Sequence, residues 1–366
     1  MAYPKRGTRL LAGAALVMTA ALGAAGCTST STSASGAGGA GAGPAVSTAE
    51  ARQVFASYVS VAGRAAVTGD ASLALSRVTS VQKQTVSAQL KAAQSGTGEL
   101  ARYRFGTPTF YLPQPDGYPR WFVANVGRTL VSQPGVPGAP GSANGTAGVP
   151  LAVSGQVLMV FEQGSATSPW LLASTSQLPP GSSVPPLATN GAGYVATVSL
   201  TSGAQLASPQ VTGPLQAAVV DDGPASAAAK VVAAGNLTTG LYTAARDSVT
   251  GLSAPRGDVY LWELEGTHYV TQALRTANGG ALVFYSMYLD STVEVPALLN
   301  KGVPTAGLPI TVPGYLDFLL PAGKPAPRLR LDSQQLLSFT AVDPAAGAGK
   351  IQVIAMGGGL TYADAS

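Results

Sequence analysis

Behind residue 46 the apolar positions follow two rhythms, and each rhythm occurs twice. Val54, Tyr58, Val61, Ala62 and Ala65 recur at the three-and-four spacing of one helix face. Ser47 and Glu50 precede them in the order of a capping box, and Gly69 follows them. This pattern predicts an amphipathic helix ending near Gly69. Asp70 can cap a short helix carrying Leu73 and Leu75. Thr79 with Gln82 can cap a third, running to about Gln94 before Gly96 and Gly98 break it.

The rhythm then shortens to that of strands. Tyr103–Phe105 and Thr109–Leu112 lead to the turn signal PQPDGYP at 113–119. RWFVANV (120–126) has high β-propensity. After a Gly/Pro-rich stretch at 131–150, QVLMVFE (156–162) and WLLAST (170–175) read as a hairpin.

The second half repeats the order. Pro224 and Gly235 bracket an alanine-rich segment expected to be helical. Asn236 can cap another helix, with Leu241, Ala245, Val249 and Leu252 on one face. Strands are expected at 258–264, 268–276 and 281–289, with Asn278-Gly279 suited to a type I′ turn. A Pro/Gly-rich insertion covers about 296–326. LRLDSQQLLSFTAV and KIQVIAM complete a second sheet.

Helices followed by an antiparallel meander, taken twice, imply an α+β chain of two tandem domains. The expected division is 47–178 for the first domain, 179–223 for a linker with a possible strand at YVATVSL, and 224–366 for the second. Helices on one face of a strongly curved antiparallel sheet resemble the cystatin-like and nuclear-transport-factor-2-like cone folds. Duplication of one unit would explain the repeated order.

The first 46 residues are of another kind. Lys5, Arg6 and Arg9 precede an uncharged apolar run from Leu10 to about Leu22. Ala24, Ala25 and Gly26 then lead into Cys27, the single cysteine of the chain. Basic start, apolar core and small residues are the plan of a secretory signal peptide, here 1–26. The run is shorter than the roughly 20 residues a membrane-crossing helix needs. Cysteine directly after small residues resembles the bacterial lipobox, in which the thiol carries lipid, although Ala24 stands where leucine is usual. Residues 27–46 are Ser/Gly-rich and read as a tether.

The lipobox region around Cys27, the segment ARQVFASYVSVAGRAAVTGD and the strand order together resemble an uncharacterised family of actinobacterial lipoproteins with paired domains. The resemblance implies export and an outer-face membrane anchor through lipid on Cys27. It names no activity.

Charge changes the picture little. The formal charge of +4 includes three basic residues of the signal and no acid from it, so the mature chain stands near +1. That leaves no basic footprint for nucleic acid. With one cysteine there is no internal disulfide, so packing must supply stability.

Candidate chemistry is sparse. His268 is the only histidine and no Gly-x-Ser-x-Gly elbow accompanies it. Asp221-Asp222 reads as a helix lead-in. Glu263 and Glu265 share a strand face at a solvated edge. Gly357-Gly-Gly359 has no following lysine and so is no phosphate loop. The expectation is a non-catalytic envelope protein, not an enzyme, with no cofactor and no metal site, binding another envelope protein. The alternative is a carrier of an apolar molecule or lipid in a cone cavity. Trp121, Tyr260, Trp262, Tyr269, Tyr285 and Tyr288 are the candidate pocket residues.

Overall fold

The computed structural model describes residues 46–96, 98–114, 117–131, 154–253, 259–294, 310, 314–320 and 330–366. They belong to one compact unit, Ala42–Ser366. The signal sequence, Cys27 and the tether up to residue 45 lie outside the described residues.

The first helix, α1, spans Thr48–Thr68. Ser47 Oγ accepts from the Glu50 N–H at 3.2 Å, the first half of the expected capping box. The second half is diverted: the Glu50 carboxylate instead accepts from the buried Trp170 indole at 3.1 Å. Gly69, at φ 68°, ends the helix and returns its N–H to the Ala65 carbonyl. Two helices follow, α2 (Ala71–Leu75) and α3 (Ser80–Gln94). Asp70 caps α2 through a 3.0 Å bond from the Leu73 N–H.

Strands β1 (Tyr103–Phe105), β2 (Thr109–Tyr111), β3 (Arg120–Leu130), β4 (Ser154–Gln163) and β5 (Leu171–Gln177) close the first half. The second half has helices α4 (Thr212–Asp222) and α5 (Thr239–Ser253). Its strands are β6 (Val259–Gly266), β7 (Gln272–Arg275), β8 (Ala281–Glu294), β9 (Arg330–Asp343) and β10 (Gln352–Ala365).

The ten described strands form one α+β sheet in the order β1-β3-β4-β5-β10-β9-β8-β6. The order reads alike from either end. β2 and β1 lie end to end along β3, opposite 123–125 and 128–130. β7 and β6 lie end to end along β8, opposite 281–284 and 287–294. Each half is therefore a broken edge strand, two long strands and a closing strand. The closing strands join antiparallel through Met356 and Gln177.

Glycines permit β10 to approach both of its neighbours, β5 and β9. A Cβ on Gly357 would run into the Thr175 carbonyl, and one on Gly358 into the Leu336 carbonyl. Gly358 also sits at φ 110°, a conformation that side chains resist. Beside the join, the Ser176 and Thr340 hydroxyls bond at 2.8 Å in the buried interior.

Alternate strand residues feed cores on both faces. Phe122, Ala124, Met159 and Phe161 pack under α1. Val283, Tyr285, Met287, Leu289 and Phe339 pack with Val219, Val220 and Leu241 of α4 and α5. The residues between them, Trp121, Val123, Leu158, Val160, Leu282 and Phe284, form a third core shared by both halves. Burying each such side chain contributes about 1.5–3 kcal/mol.

Residues 194–206 tie the halves together. The Val195 N–H donates to the Leu112 carbonyl of the first half at 2.9 Å. The Val198 N–H donates to Ala273 and the Arg275 N–H to Ala196, both on the second half. Leu206 donates to Pro344 at 2.8 Å.

Three sequence expectations change. The helix expected between Pro224 and Gly235 lies one segment earlier, as α4; the alanine run holds only a 3₁₀ turn, Ala227–Lys230. Gly223 and Pro224 act as a stop: Gly223 at φ 86° ends α4, and the proline cannot continue it. Asp221 and Asp222 consequently end a helix instead of leading into one. The turn at Asn278-Gly279 is not type I′, because only Gly279 has positive φ. The Gly279 N–H donates to Thr276 and the Thr276 N–H to the Gly280 carbonyl, a three-residue loop with a glycine bulge.

Candidate functional site

A polar cleft lies where α3 enters the sheet between the two halves. Its entry is pinned by the backbone: the Leu172 N–H donates to the Arg77 carbonyl at 2.9 Å, and the Thr79 N–H donates back to Leu172 at 2.8 Å. Thr79 holds the cap position without a side-chain cap bond. Ser80 then takes φ 47°, the one positive φ outside glycine among the described residues. Such a residue costs about 1–3 kcal/mol and persists only where its surroundings impose it.

Ser80 is turned toward Glu162, at the end of β4. Glu162 stands opposite Trp121, on the sheet face of the shared core. It accepts a short hydrogen bond from Gln272 Nε2 of β7, so one carboxylate links the two halves. Burial pushes the Glu162 carboxyl above the usual range, and hydrogen bonds from Gln272 and Ser80 pull the other way.

Tyr269 closes the cleft from the second half. Its hydroxyl accepts from Gln84 Nε2 of α3 at 3.1 Å. Ser174 and Ser286 add hydroxyls, and Val81, Phe284 and Tyr285 add apolar walls. The free interior is ≈ 20 Å³, room for about one water molecule. The lining therefore offers one carboxyl, several hydroxyls and a water-sized space. It can hold a proton and orient a water between the halves. Acid–base hydrolysis of a glycoside needs a second carboxyl across the substrate, and the lining brings a single one.

The six aromatic candidates do not converge on one cavity. Trp121 is buried in the shared core, its ring 6.4 Å from Phe284 and edge-on to it. Tyr260 and Trp262 stand two apart on β6 and meet each other edge-on at 6.5 Å. Tyr285 is buried, stacks on Phe339 at 5.7 Å and donates to Gln216 Oε1 at 2.8 Å. Its phenol is pushed far up by burial. Tyr269 and Tyr285 do reach the cleft, and Tyr288 stands near Tyr269. Burial first, then Tyr269, raise the Tyr288 phenol.

His268 is exposed, its ring 4.3 Å from that of Tyr269. Glu263 and Glu265 are exposed on the β6 face that also carries Leu261. Asp221 Oδ1 accepts from the Leu264 N–H at 3.0 Å, tying α4 to β6. Among the described residues no group of three His, Cys, Asp or Glu side chains could hold a metal ion. No helix among them is long and apolar enough to cross a membrane.

Nothing in the local sequence pattern marks Glu162, Gln272 or Ser80 as a group. Glu162 directly after the apolar run Val157–Phe161 was the available signal. Gln272 and Ser80 carry none, because their role comes from the curl that brings β7 over β4.

Comparison with known proteins gives a family and one named relative, and no activity. The sequence profile described as Domain of unknown function (DUF8094) matches residues 42–365. A protein of Streptomyces avermitilis named uncharacterized lipoprotein is 26% identical over 328 residues, covering 87% of this chain and 86% of its own length. No solved structure matches the chain.

Proposed function

The chain belongs to the DUF8094 family, and from that premise we propose that it is an exported lipoprotein with a non-catalytic binding or structural role at the outer face of the cell membrane. The carrying observation is the order of its parts. A basic start and an apolar run lead to Cys27, and a Ser/Gly-rich stretch separates that cysteine from the folded unit. The Streptomyces relative, matched over most of both chains, bears the name lipoprotein.

Anchoring is by acyl chains on Cys27, whose burial in the bilayer contributes about 0.8 kcal/mol per CH₂. The partner is another envelope protein or the wall layer. Each half reads as one copy of a cone-like α+β unit, a reading supported by the matched strand order from the two ends of the sheet.

The test is Cys27→Ser in an actinobacterial host. The wild-type protein is expected in the membrane fraction and in the detergent phase on partition. The variant is expected in the medium or the aqueous phase. A variant that stayed with the membrane would overturn the anchor.

A further inference from the structure

At the C-terminal end of β9, two buried acceptors stand without donors. Asp343 closes β9 opposite Ala281 and is fully buried. Its Oδ1 accepts from the Ala207 N–H at 3.4 Å. Its Oδ2 has no partner. Gln205 is 2% exposed and donates through Nε2 to the Gly279 carbonyl at 3.4 Å. Its Oε1 is likewise without a partner.

Register relates the two. Gln205 bridges Ala345 in antiparallel fashion. The bonds from Leu206 N–H to Pro344 and from Ala346 N–H to Ala204 bracket that bridge. Gln205 and Asp343 are then diagonal neighbours on this short ribbon, a separation that side chains span. An ionised Asp343 would leave two acceptor oxygens buried without donors, which costs about 1–3 kcal/mol per group. A single proton shared between them would remove both deficits.

We infer that Asp343 is protonated in the folded protein and donates to the Gln205 amide oxygen, forming an acid–amide latch that fastens residues 205–207 to the end of the sheet. The proton comes from solvent and returns to it, and no other bond is made or broken.

The surroundings favour the neutral form. The 276–280 turn contributes Thr276 and Asn278, which bond to each other at 2.6 Å. Segment 205–207 is uncharged. Lys350, on the turn after β9, donates to the Ala229 carbonyl. Arg275 stands two strands away in the same row, beyond Ala281. Burial accordingly pushes the Asp343 carboxyl up to about 6, against the pull of the Ala207 N–H.

The sign follows from the raised value. The latch's contribution is complete below the unfolded value of 3.8 and is lost as pH rises through about 6. The segment it holds is the one that joins the first half to α4. Release would loosen the crossover while leaving the strands paired, so the device reports envelope pH at one corner of the fold.

The test is hydrogen exchange at the Leu206 and Ala207 amides of the full mature chain in detergent, between about pH 5 and about pH 8. Protection in the wild type is expected to fall roughly tenfold or more with rising pH, out of the roughly hundredfold that a shift of about two units allows. Asp343→Asn, whose amide donates at any pH, is expected to keep acid-level protection throughout. PH-independent protection in the wild type would overturn the latch, as would a folded Asn variant that kept the wild-type pH dependence. Should the variant fail to fold, exchange at the same amides in Gln205→Met, which lacks the accepting amide oxygen, decides. Protection that no longer falls between about pH 5 and about pH 8 supports the latch, and a fall as large as that of the wild type rejects it.

Discussion

The rings of Trp121 on β3 and Phe284 on β8 lie 6.4 Å apart, although four strands separate β3 from β8 in the sheet. At about 4.8 Å per strand, a flat sheet would hold those strands roughly 24 Å apart. The sheet must therefore curl until its two halves face each other, and the shared core is what fills the curl. Trp121 is 6% exposed and Phe284 4%. The Trp121–Phe284 contact is thus one of those that hold the two halves together across the curl.

Trp121→Ala should consequently cost more than a local cavity. The expected loss is about 3–5 kcal/mol, at the upper end for a buried aromatic. Phe284→Ala should fall in the same range. Because each removes the other's partner, the double variant should lose about 0.5–1.5 kcal/mol less than the sum. Denaturant midpoints of the four proteins measure this, and strict additivity would show that the rings act independently.

The glycine run at the join offers a paired control. A side chain on Gly357 or Gly358 meets a neighbouring strand's carbonyl, whereas nothing lies within 4 Å of a Cβ on Gly359. Gly357→Ala should prevent β5 from meeting β10, Gly358→Ala should part β10 from β9, and each should yield little folded protein. Gly359→Ala should fold and stay within about 1 kcal/mol of the wild type. Circular dichroism and the yield of monomeric protein distinguish them. A well-folded Gly357→Ala would mean that the strands can separate at this point.

These contrasts show where the sequence was legible. Strands rich in β-branched and aromatic residues, such as Arg120–Leu130 and Ala281–Glu294, stand near their expected places, as do the helix behind Ser47 and its stop at Gly69. The pairing of β5 with β10 was not legible. Gly357-Gly358-Gly359 reads locally as a weak strand, and its purpose depends on two carbonyls distant in sequence. The displaced helix has a similar cause. Pro224 reads equally as a helix start or as the residue after a stop, and Gly223 decides for the stop through its positive φ. Glu162 was hidden because its partners, Ser80 and Gln272, come from opposite halves.

Asp221 makes a pH dependence at the surface. Burial, then the charges of Glu263, Asp222 and Glu265, raise its carboxyl to about 6 against the pull of the Leu264 N–H. A raised folded value means stability that is complete below 3.8 and declines as pH rises through about 6. Asp221→Asn keeps an acceptor for Leu264 and removes the charge. It should flatten this part of the stability profile and raise stability near pH 7, by less than about 1 kcal/mol because water screens this exposed group. Thermal unfolding from about pH 4 to about pH 8 measures it, and an unchanged slope would remove Asp221 as a contributor.

The matched strand order makes one prediction about the halves themselves. Cutting between them exposes the free edge of β5 on one piece and of β10 on the other, each an unpaired row of backbone donors and acceptors. The cut also opens the shared core, since Trp121, Val123, Leu158 and Val160 lose Leu282 and Phe284. Residues 47–178 expressed alone should therefore not persist as a folded monomer. They should either aggregate or pair through β5 with a second copy, imitating the native join about a two-fold axis. Residues 179–366, which keep the crossover segment, should behave alike through β10. Mixing the two pieces during refolding should restore a one-to-one complex, read by sedimentation and by burial of Trp121 fluorescence. A first half that stayed monomeric and cooperative in unfolding would show that the curl is not shared, and that each half closes its own core.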